Sequence, residues 1–328
     1  MLTVRRIVNV LRAEVSCLVA RFGRVSVGHL PLFVSVEPAN FCQLRCPECP
    51  VNSESVRNGH PARSSKMLSM ELFDRLLEQV APTATTIQFY FQGEPLLNPL
   101  LPEMIAKAHR VGLYTVTSTN AQSLTARKAH DLMAAGLDRI IVSIDGLNQE
   151  SYAAYRIGGS LNKALEGLRL LREAKDALKG RTLIELQCLR LKTNEHEWRL
   201  FRRRYRRLGA DILVFKTAQL YDYAHGHPLM PSDAHYSRYL RTADGLYPPK
   251  NRLHPASRTL CRRLWTGCVM DAEGNIRACC YDKGGEYIFG NVSEQPFPKI
   301  WFGNKADRFR RRVLFHRSGI SICGNCGD

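Results

Sequence analysis

Short apolar runs alternate with helix-like periodicity along the first two thirds of the chain. The runs predict strands at 33–38, 85–91, 113–119, 139–145, 182–190 and 211–217. Apolar residues three or four positions apart predict helices at 69–80, 100–111, 125–136, 162–178 and 194–208. Strands that alternate with helices predict an α/β fold with a parallel sheet, and six such units are too few for a closed eight-stranded barrel.

The same pattern divides the chain into four segments. Residues 1–32 contain a basic amphipathic helix at 3–22, which we expect to pack against the main domain rather than lie on a membrane surface. Residues 33–217 form the α/β core. Residues 218–255 are loop-rich bridging residues with little periodicity, and residues 256–328 form a cysteine-rich C-terminal domain.

Alternate residues of a strand point to the same side, so the strand patterns also predict a polar interior. The polar sets are Gln88, Tyr90 and Gln92, then Thr115, Thr117 and Thr119, then Ser143 and Asp145. The apolar residues expected under the helices are Ile87, Phe89, Phe91, Ile140, Val142 and Ile144. Gln187 and Lys216 are expected to face the same cavity, whereas Cys188 has the opposite parity and is expected to be a buried, inert thiol. The site is expected at the carboxyl ends of the strands.

Composition places few limits on the function of the 328-residue chain. Lys and Arg number 47 against 30 Asp and Glu, which gives a net charge of +17 and favours an acidic partner. The basic runs at 202–207 and 308–312 lie in helical patterns, so solvated helix faces are the simpler interpretation and nucleic-acid binding is not expected. No run of eighteen or more apolar residues is present, so a membrane span is not expected either.

Three cysteines in one short loop, Cys42, Cys46 and Cys49, form the most specific motif. Their C-x3-C-x2-C spacing offers three thiolates, whereas a [4Fe–4S] cube takes one ligand per iron. The fourth iron would be open to a small molecule, so the loop predicts a catalytic cluster. A disulfide framework is a poor alternative because the eleven cysteines are odd in number and no secretory signal is expected, and structural zinc prefers four ligands.

This loop follows a predicted strand that ends at Pro38, and in this position it resembles the loop of the radical S-adenosylmethionine (radical SAM) enzymes. The resemblance implies an open, six-stranded partial (β/α)6 TIM barrel. It also implies that the amino and carboxylate groups of S-adenosylmethionine (SAM) chelate the open iron, and that a 5′-deoxyadenosyl radical abstracts hydrogen from a substrate. One residue departs from the family pattern, because Glu48 occupies a position that is often aromatic and contacts the adenine.

The segment after the second predicted strand extends the resemblance. Gln92-Gly93-Glu94 is similar to the family's GGE motif, with Gln92 as a second departure in place of the first glycine. The similarity implies that Gly93 and Glu94 bind the amino group of SAM. The candidates for contacts with its ribose and carboxylate, by their position at the ends of the next two strands, are Thr119, Asn120, Ser143 and Asp145. Ordinary turns at the GGE-like segment and at Asp145 are the alternatives.

The C-terminal domain contains Cys261, Cys268, Cys279, Cys280, Cys323 and Cys326. A hairpin-like turn at 271–276, a Gly-Asn pair at 290–291 and the final C-x2-C pair resemble the SPASM/twitch domain of radical SAM enzymes. The resemblance implies one auxiliary [4Fe–4S] cluster, whose ligands would be Cys261, Cys279, Cys323 and Cys326. Cys280 is the alternative to Cys279, and structural zinc is the alternative to the cluster.

The resemblance leaves three candidate functions. The first is oxidation or epimerisation of a sugar-like or cyclitol-like small molecule, with the auxiliary cluster as electron acceptor or a thiol as hydrogen donor. Cys268 is the catalytic candidate for that thiol, although a spare core cysteine is the simpler interpretation. The second function is peptide modification, and the third is a non-enzymatic iron–sulfur or nucleic-acid-binding protein. A flavodoxin or ferredoxin is the expected electron donor, and the cytoplasm is the expected location.

Overall fold

The computed structural model describes residues 3–52, 65–250 and 260–326. The strands are β1 (Phe33–Val36), β2 (Thr86–Phe89), β3 (Tyr114–Thr119), β4 (Arg139–Ser143), β5 (Leu183–Arg190), β6 (Ile212–Thr217), β7 (Gly267–Met270), β8 (Asn275–Arg277) and β9 (Ile288–Asn291). The helices are α1 (Val4–Arg21), α2 (Met70–Val80), α3 (Leu101–Arg110), α4 (Ala126–Ala134), α5 (Gln149–Ala153), α6 (Leu161–Ala177), α7 (Trp198–Arg204), α8 (Arg262–Thr266), α9 (Phe297–Trp301), α10 (Asn304–His316) and α11 (Ser321–Gly324). The predicted alternation of strands and helices is therefore present.

The nine strands of the described residues form one sheet, in the order β6-β5-β4-β3-β2-β1-β7-β8-β9. From β1 to β6 each strand pairs in parallel with the next one along the chain, which confirms the predicted α/β class and its six-stranded core. The C-terminal domain continues this sheet, because β7 pairs in parallel with β1 and is followed by the antiparallel strands β8 and β9. The predicted hairpin turn joins β7 to β8, and its Gly274 has a φ of +85°, which L side chains rarely adopt.

The main core lies between the sheet and the helices that cover it. Fully buried strand residues on this side include Val34, Val36, Ile87, Phe89, Ile140 and Val142. Cys188 is also fully buried in this core, as its parity predicts. The opposite, inner side of the sheet carries Gln88, Tyr90, Ser143, Gln187 and Lys216, which again follows the predicted parity. Polar residues are thus concentrated on the side of the sheet where the site is expected.

Strand β3 departs from this parity. The sequence predicts that Thr115, Thr117 and Thr119 face the interior, but the first two lie on the helix side, while Val116 and Ser118 line the inner side. The hydroxyl of Thr117 donates to a backbone carbonyl of β2 (2.9 Å), and that of Thr115 donates to a carboxylate just before β4 (3.0 Å). A threonine can be buried under helices when its hydroxyl is bonded in this way, so polarity alone gives the wrong side here.

Phe91 is a second exception to the predicted parity. It lines the inner side instead of packing under the helices, because regular strand geometry ends at Phe89.

Two helices also differ from the sequence prediction. The helix predicted at 194–208 begins as a 3-10 turn at Lys192–Glu197 and becomes α-helical at Trp198–Arg204. The short helix α5 is absent from the sequence prediction, since five residues give too little periodicity.

Helix α1 packs on the main domain at the amino-terminal edge of the sheet. The guanidinium of Arg6 donates to carbonyls in the loops that precede β2 and β3. The amide of Asn9 bonds to the segments that precede β1 and β2. The expected packing of this helix is therefore present, and the carboxyl ends of the strands lie at the opposite edge. Among the described residues, no helix has the length and apolar character needed to cross a membrane.

Candidate active site

The three-cysteine loop follows β1 and borders a cavity of about 360 Å³ at the carboxyl ends of the strands, here called the outer cavity. Cys42, Cys46 and Cys49 all line it. The loop is held by backbone hydrogen bonds from Cys49 N to Cys46 O (3.1 Å) and from Arg45 N to Ile157 O (2.9 Å). Burial raises the pKa of Cys42 to about 12, so this thiol keeps its proton unless a metal replaces it.

Gly93 allows the loop after β2 to lie against the cysteine loop. A Cβ atom on Gly93 would be 2.0 Å from the carbonyl oxygen of Ala39, far closer than van der Waals contact. The next residue, Glu94, donates its backbone N–H to Phe41 O (2.9 Å), which joins the two loops. The GGE-like segment and the cysteine loop therefore form one continuous wall of the outer cavity.

The carboxylate of Glu94 is buried and lines the outer cavity. Its Oε1 accepts from Thr119 Oγ1 (2.6 Å) and Leu96 N (3.2 Å), and its Oε2 accepts from Asn120 N (2.9 Å). Burial raises the pKa of Glu94, while these three donors act in the opposite direction. A carboxylate has about four acceptor positions, so the three donors leave one for a ligand ammonium group.

The two candidates at the end of β3 have different surroundings. The Thr119 hydroxyl donates to Glu94 and accepts from Ala121 N (2.9 Å), so both of these hydrogen bonds stay within the protein. The Asn120 side chain donates from Nδ2 to the sulfur of Cys42 (3.4 Å). Thr119 is therefore placed to position Glu94, whereas Asn120 lies beside one of the three cysteines.

The two candidates after β4 also differ. Ser143 lines the outer cavity, and its hydroxyl has no hydrogen-bond partner within the part of the chain that the structure describes. Asp145 corrects the sequence expectation, because it is fully buried and does not line the cavity. Its carboxylate forms an ion pair with Arg156 (2.6 Å) and accepts from Leu189 N (2.6 Å). Asp145 is thus placed to hold an arginine of the cavity wall.

No motif marks Arg156 in the sequence, yet this residue lines the outer cavity. Its Nη1 is 4.0 Å from the sulfur of Cys46, and its guanidinium carbon is 5.6 Å from the ring centre of Tyr155. Burial alone would lower the pKa of Arg156, but the Asp145 carboxylate together with Cys46 and Tyr155 outweighs burial and holds the pKa well above the ordinary value. Arg156 is therefore a fixed cation, suited to a carboxylate ligand.

Glu48, which departs from the family pattern, has partners of its own. Its Oε2 accepts from Tyr221 N (2.8 Å), and its Oε1 lies 3.3 Å from Nε2 of His227. Both partners belong to the bridging residues 218–255, of which 251–255 lie outside the described residues. The two carboxylate oxygens of Glu48 therefore tie the bridging loops to the cysteine loop.

A second cavity, here called the inner cavity, also has a volume of about 360 Å³. It shares the wall residues Tyr90, Phe91 and Gln187 with the outer cavity, so the two cavities adjoin. Its far wall belongs to the C-terminal domain and includes Cys279 and Cys280. A molecule in the inner cavity would therefore lie between the three-cysteine loop and the C-terminal cysteines.

The charged residues of the inner cavity are mostly cationic. They are Arg139, Glu185, Lys216 and Arg263. Arg139 and Glu185 form an ion pair, but Oε1 of Glu185 and Nε of Arg139 have no hydrogen-bond partner among the described residues. The Glu185 side chain is only 1% exposed, and a buried carboxylate oxygen without a partner is costly. A bound molecule with a donor group would satisfy this oxygen.

Four C-terminal cysteines lie near one another, and three of them, Cys261, Cys323 and Cys326, lie near the buried Arg317. Cys261 precedes α8, Cys279 follows β8, and Cys323 and Cys326 lie at the end of the described chain. Burial raises the pKa of Cys261, Cys279 and Cys323, and the other thiols of the set raise the pKa of each further. Arg317 donates to the sulfur of Cys326 (3.6 Å). The structure thus brings together the four residues that the SPASM resemblance implies.

The number of these thiols matches a cube. A [4Fe–4S] cluster takes one thiolate for each of its four irons, and the set offers four cysteines.

Cys280 lies next to this set. Its sulfur is 3.3 Å from Nη1 of Arg263, and both Cys279 and Cys280 line the inner cavity. Cys279 is close enough to Cys261 and Cys323 for their charges to raise its pKa. Neighbouring residues of an extended chain point in opposite directions, so one of the two cysteines is expected to face the set, and Cys279 stays the predicted ligand.

The placement of Cys268 suits a core cysteine better than a hydrogen-atom donor. Strand β7 pairs Cys268 with Val34, on the core side of the sheet, and pairs Val269 with Ser35, on the cavity side. Cys268 contributes to the wall of the inner cavity, but its thiol is packed in the core, and burial raises its pKa to about 12. The simpler interpretation, a core cysteine, accounts for this placement.

Comparison with known proteins agrees with this architecture. Residues 36–184 match the model of the radical SAM superfamily, and residues 261–327 match the SPASM model, described as an iron-sulfur cluster-binding domain. The chain belongs to the radical SAM superfamily. Within it, the chain is one of the proteins that carry a C-terminal SPASM domain, so its cofactors are a [4Fe–4S] cluster that works with SAM and an auxiliary iron–sulfur cluster.

Three known proteins are similar over different parts of the chain. An AdoMet-dependent heme synthase of Methanosarcina barkeri (strain Fusaro / DSM 804) is 25% identical over 92% of this chain and 89% of its own. A PqqA peptide cyclase of Streptomyces rochei is 32% identical over 35% of this chain and 30% of its own. The crystal structure of BtrN in complex with AdoMet and 2-DOIA has a TM-score of 0.54 and 20% identity, and covers 91% of this chain and 94% of that chain. These names point to different substrates.

Proposed function

We propose that this radical SAM enzyme oxidises or epimerises a small polar substrate held in the inner cavity. The observation that carries the proposal is the position of this cavity, which adjoins the outer cavity on one side and reaches Cys279 and Cys280 on the other. When bound, SAM and the two clusters supply a 5′-deoxyadenosyl radical that abstracts hydrogen and an acceptor for a second electron. A substrate in the inner cavity would lie between the three-cysteine loop and the C-terminal cysteines, and would therefore have access to both clusters.

The outer cavity offers a contact for each polar part of SAM. We assign the three-cysteine loop to the cluster with the open iron. Glu94 then binds the amino group through its remaining acceptor position, and Arg156 binds the carboxylate. Ser143 is free to bond a ribose hydroxyl. Asp145 holds Arg156 in place, and Thr119 does the same for Glu94.

We assign the auxiliary cluster to Cys261, Cys279, Cys323 and Cys326. The buried guanidinium of Arg317 stabilises negative charge on these sulfur atoms, as a cluster with four thiolates requires. A flavodoxin or ferredoxin is the proposed electron donor to the enzyme. The proposed location is the cytoplasm, where thiols stay reduced.

The inner cavity favours a sugar-sized molecule with hydroxyl groups and a negative charge. Lys216 and Arg263 attract an anion, and the unpartnered oxygen of Glu185 accepts a hydrogen bond from a hydroxyl or an amine. A volume of about 360 Å³ is at the lower end of ligand pockets. In a dehydrogenation the substrate loses a hydrogen atom, an electron and a proton, and Glu185 is the residue placed to take the proton.

Epimerisation would require a thiol that returns a hydrogen atom, and Cys280 is placed for this role because it lines the inner cavity. A peptide substrate is the second candidate function, supported by the similarity to a PqqA peptide cyclase. In that case a side chain of the peptide would occupy the inner cavity. A Cys280→Ala variant that still consumes substrate but no longer inverts it would identify epimerisation, whereas an oxidase would keep its product.

The first experiment measures iron, sulfide and zinc per chain after anaerobic reconstitution. The parent is expected to hold about eight irons, and a variant with alanine at all three loop cysteines about four. A Cys261→Ala/Cys279→Ala variant is also expected to hold about four, while Cys280→Ala, the matched control, keeps about eight. Zinc in the C-terminal domain, with loss of all iron from the loop variant, would overturn the auxiliary cluster.

A second experiment separates cofactor chemistry from substrate chemistry. Reduced parent protein is expected to cleave SAM to methionine and 5′-deoxyadenosine. The Glu185→Gln variant should cleave SAM at a similar rate without substrate, because Glu185 lines only the inner cavity. Arg156→Gln should instead raise the dissociation constant of SAM. Equal loss of SAM cleavage in both variants would contradict the division into an outer and an inner cavity.

A further inference from the structure

Helix α1 exposes a row of large apolar side chains. They are Val4, Ile7, Val8, Leu11, Val15 and Leu18, and Phe22 continues the row at the end of the helix. At 3.6 residues per turn these seven positions fall within a sector of about 100°. Leu11 is 61% exposed and Phe22 is 74% exposed, so this row, here called the apolar stripe, is open to solvent.

The opposite side of α1 is small or polar, and it is the side that packs on the protein. Its buried residues are Arg6, Asn9, Ala13, Ser16, Cys17 and Ala20. An ordinary surface helix buries its apolar side and exposes its polar side. Here the hydrogen bonds of Arg6 and Asn9 to the loops below the sheet hold the helix in the reverse orientation. The stripe is therefore presented outward by specific contacts.

Basic residues accompany the apolar stripe. Arg5 and Arg12 lie along one border of it, and Arg24 follows the end of the helix; all three are exposed. None of them forms an ion pair within the described residues. Glu14, the acidic residue of the helix, is neutralised by an ion pair with Arg262. The surface around the stripe is therefore cationic.

We propose that the apolar stripe docks on the surface of an anionic lipid bilayer. Such a surface offers hydrocarbon to the stripe and negative charge to its arginines. A second copy of the chain fits less well, because it would bring two such cationic surfaces together in proteins with a net charge of +17 each. Since α1 is not suited to crossing a membrane, it would lie in the plane of the interface.

Docking through α1 would leave the active site accessible from solution. The helix contacts the loops that precede β1, β2 and β3, at the amino-terminal edge of the sheet. The outer cavity lies at the carboxyl ends of the same strands. The bilayer would therefore determine where the enzyme works without supplying its substrate, and this inference is independent of the proposed reaction.

Vesicle flotation of the full-length protein tests the proposal. The parent is expected to bind vesicles of phosphatidylcholine with phosphatidylglycerol, and to bind pure phosphatidylcholine much less. The Leu11→Glu/Leu18→Glu variant is expected to lose binding. The Leu178→Glu/Leu240→Glu variant adds the same charge at exposed apolar residues elsewhere and is the matched control, which should bind like the parent.

Substitutions of the arginines test the charge. An Arg5→Gln/Arg12→Gln variant is expected to bind anionic vesicles about thirtyfold more weakly, and the remaining binding should fall further with added salt. Both residues are exposed, so the melting temperature should stay unchanged. Equal binding of neutral and anionic vesicles, or equal binding by parent and Leu11/Leu18 variant, would overturn the proposal. If the parent does not bind vesicles but forms a dimer, and the Leu11→Glu/Leu18→Glu variant does not dimerise, the apolar stripe would be assigned to contact with a second copy instead.

Discussion

At Gly93 a single hydrogen in place of a side chain lets two loops of the outer cavity touch. In Gly93→Ala the new Cβ would collide with Ala39 O, so the loops must separate and the bond from Glu94 N to Phe41 O is lost. We expect the SAM dissociation constant to rise about tenfold or more, with about 1–3 kcal/mol of lost stability. Equilibrium dialysis and thermal melts measure both effects, and Gly28→Ala, where nothing lies within 4 Å, is the control. Unchanged SAM affinity would refute this role of Gly93.

The pair of Asp145 and Arg156 is a second test at the residue scale. Asp145→Asn leaves the Arg156 charge buried without its partner, which is expected to cost about 3–5 kcal/mol of the free energy of unfolding. The double variant Asp145→Asn/Arg156→Gln should regain much of this stability but still bind SAM weakly. Denaturant titrations of the apo protein give the stabilities. Glu166→Gln breaks a solvent-exposed ion pair and should leave the free energy of unfolding nearly unchanged. If Glu166→Gln lost as much stability as Asp145→Asn, the argument for a buried pair would be contradicted.

At the scale of elements, Glu48 connects the cysteine loop to the bridging residues 218–250. Glu48→Ala removes the acceptors for Tyr221 N and for the His227 ring, so the bridging loops should open more often. Hydrogen exchange is expected to become about tenfold faster at Tyr221 and its neighbours, while β1 to β6 stay protected. The exposed Glu78 supplies the control Glu78→Ala. The same exchange rate in parent and Glu48→Ala protein would show that other contacts hold these loops.

The contact between the segment before β1 and helix α9 adds a pH dependence. His29 is 2% exposed, and its carbonyl accepts from Trp301 Nε1 (2.7 Å). Burial lowers the pKa of His29 below its ordinary value of 6.5, so the unfolded chain binds the proton more readily than the folded one. The stability due to neutral His29 is thus present above pH 6.5 and is lost as the pH falls toward the lower folded pKa.

We therefore expect the melting temperature to fall between pH 7 and pH 5 more steeply in the parent than in His29→Gln. Glutamine is neutral at both values and can still donate to Leu30 O, the partner of the His29 ring. The matched control is His130→Gln, at an exposed histidine, which should keep the slope of the parent. If the melting temperature of His29→Gln falls between pH 7 and pH 5 as steeply as that of the parent, the acid sensitivity arises elsewhere.

At the scale of the whole molecule, the barrel and the C-terminal domain share one sheet and one core. Strand β7 pairs with β1, and a single cluster of buried apolar residues includes both Val34 of the barrel and Trp301 of the C-terminal domain. We expect calorimetry of the apo protein to show one cooperative unfolding transition. Two well-separated transitions would show that the domains unfold independently. The shared sheet also fixes the separation of the two cysteine sites, which suits a substrate held between them.

The sequence by itself determined the alternating core and both cysteine motifs, because periodicity and close spacing are local properties of a chain. It also marked Gly93, Glu94 and Ser143, which follow strands and therefore lie at one edge of a parallel sheet. Local pattern does not determine which side of a strand a bonded threonine takes, and Thr115 shows that a hydrogen bond can reverse it.

Only the tertiary structure decided the contacts between distant segments. Arg156 enters the outer cavity because Asp145, which lies earlier in the segment between β4 and α6, holds it there on the far side of the short helix α5. The pairing of β7 with β1 places the thiol of Cys268 on the core side of the sheet, whereas Cys280, which follows β8, lines the inner cavity. The outward apolar stripe of α1 likewise depends on which side of the helix Arg6 attaches to the loops. Amphipathic pattern predicts that a helix has two sides, and packing determines which of them is buried.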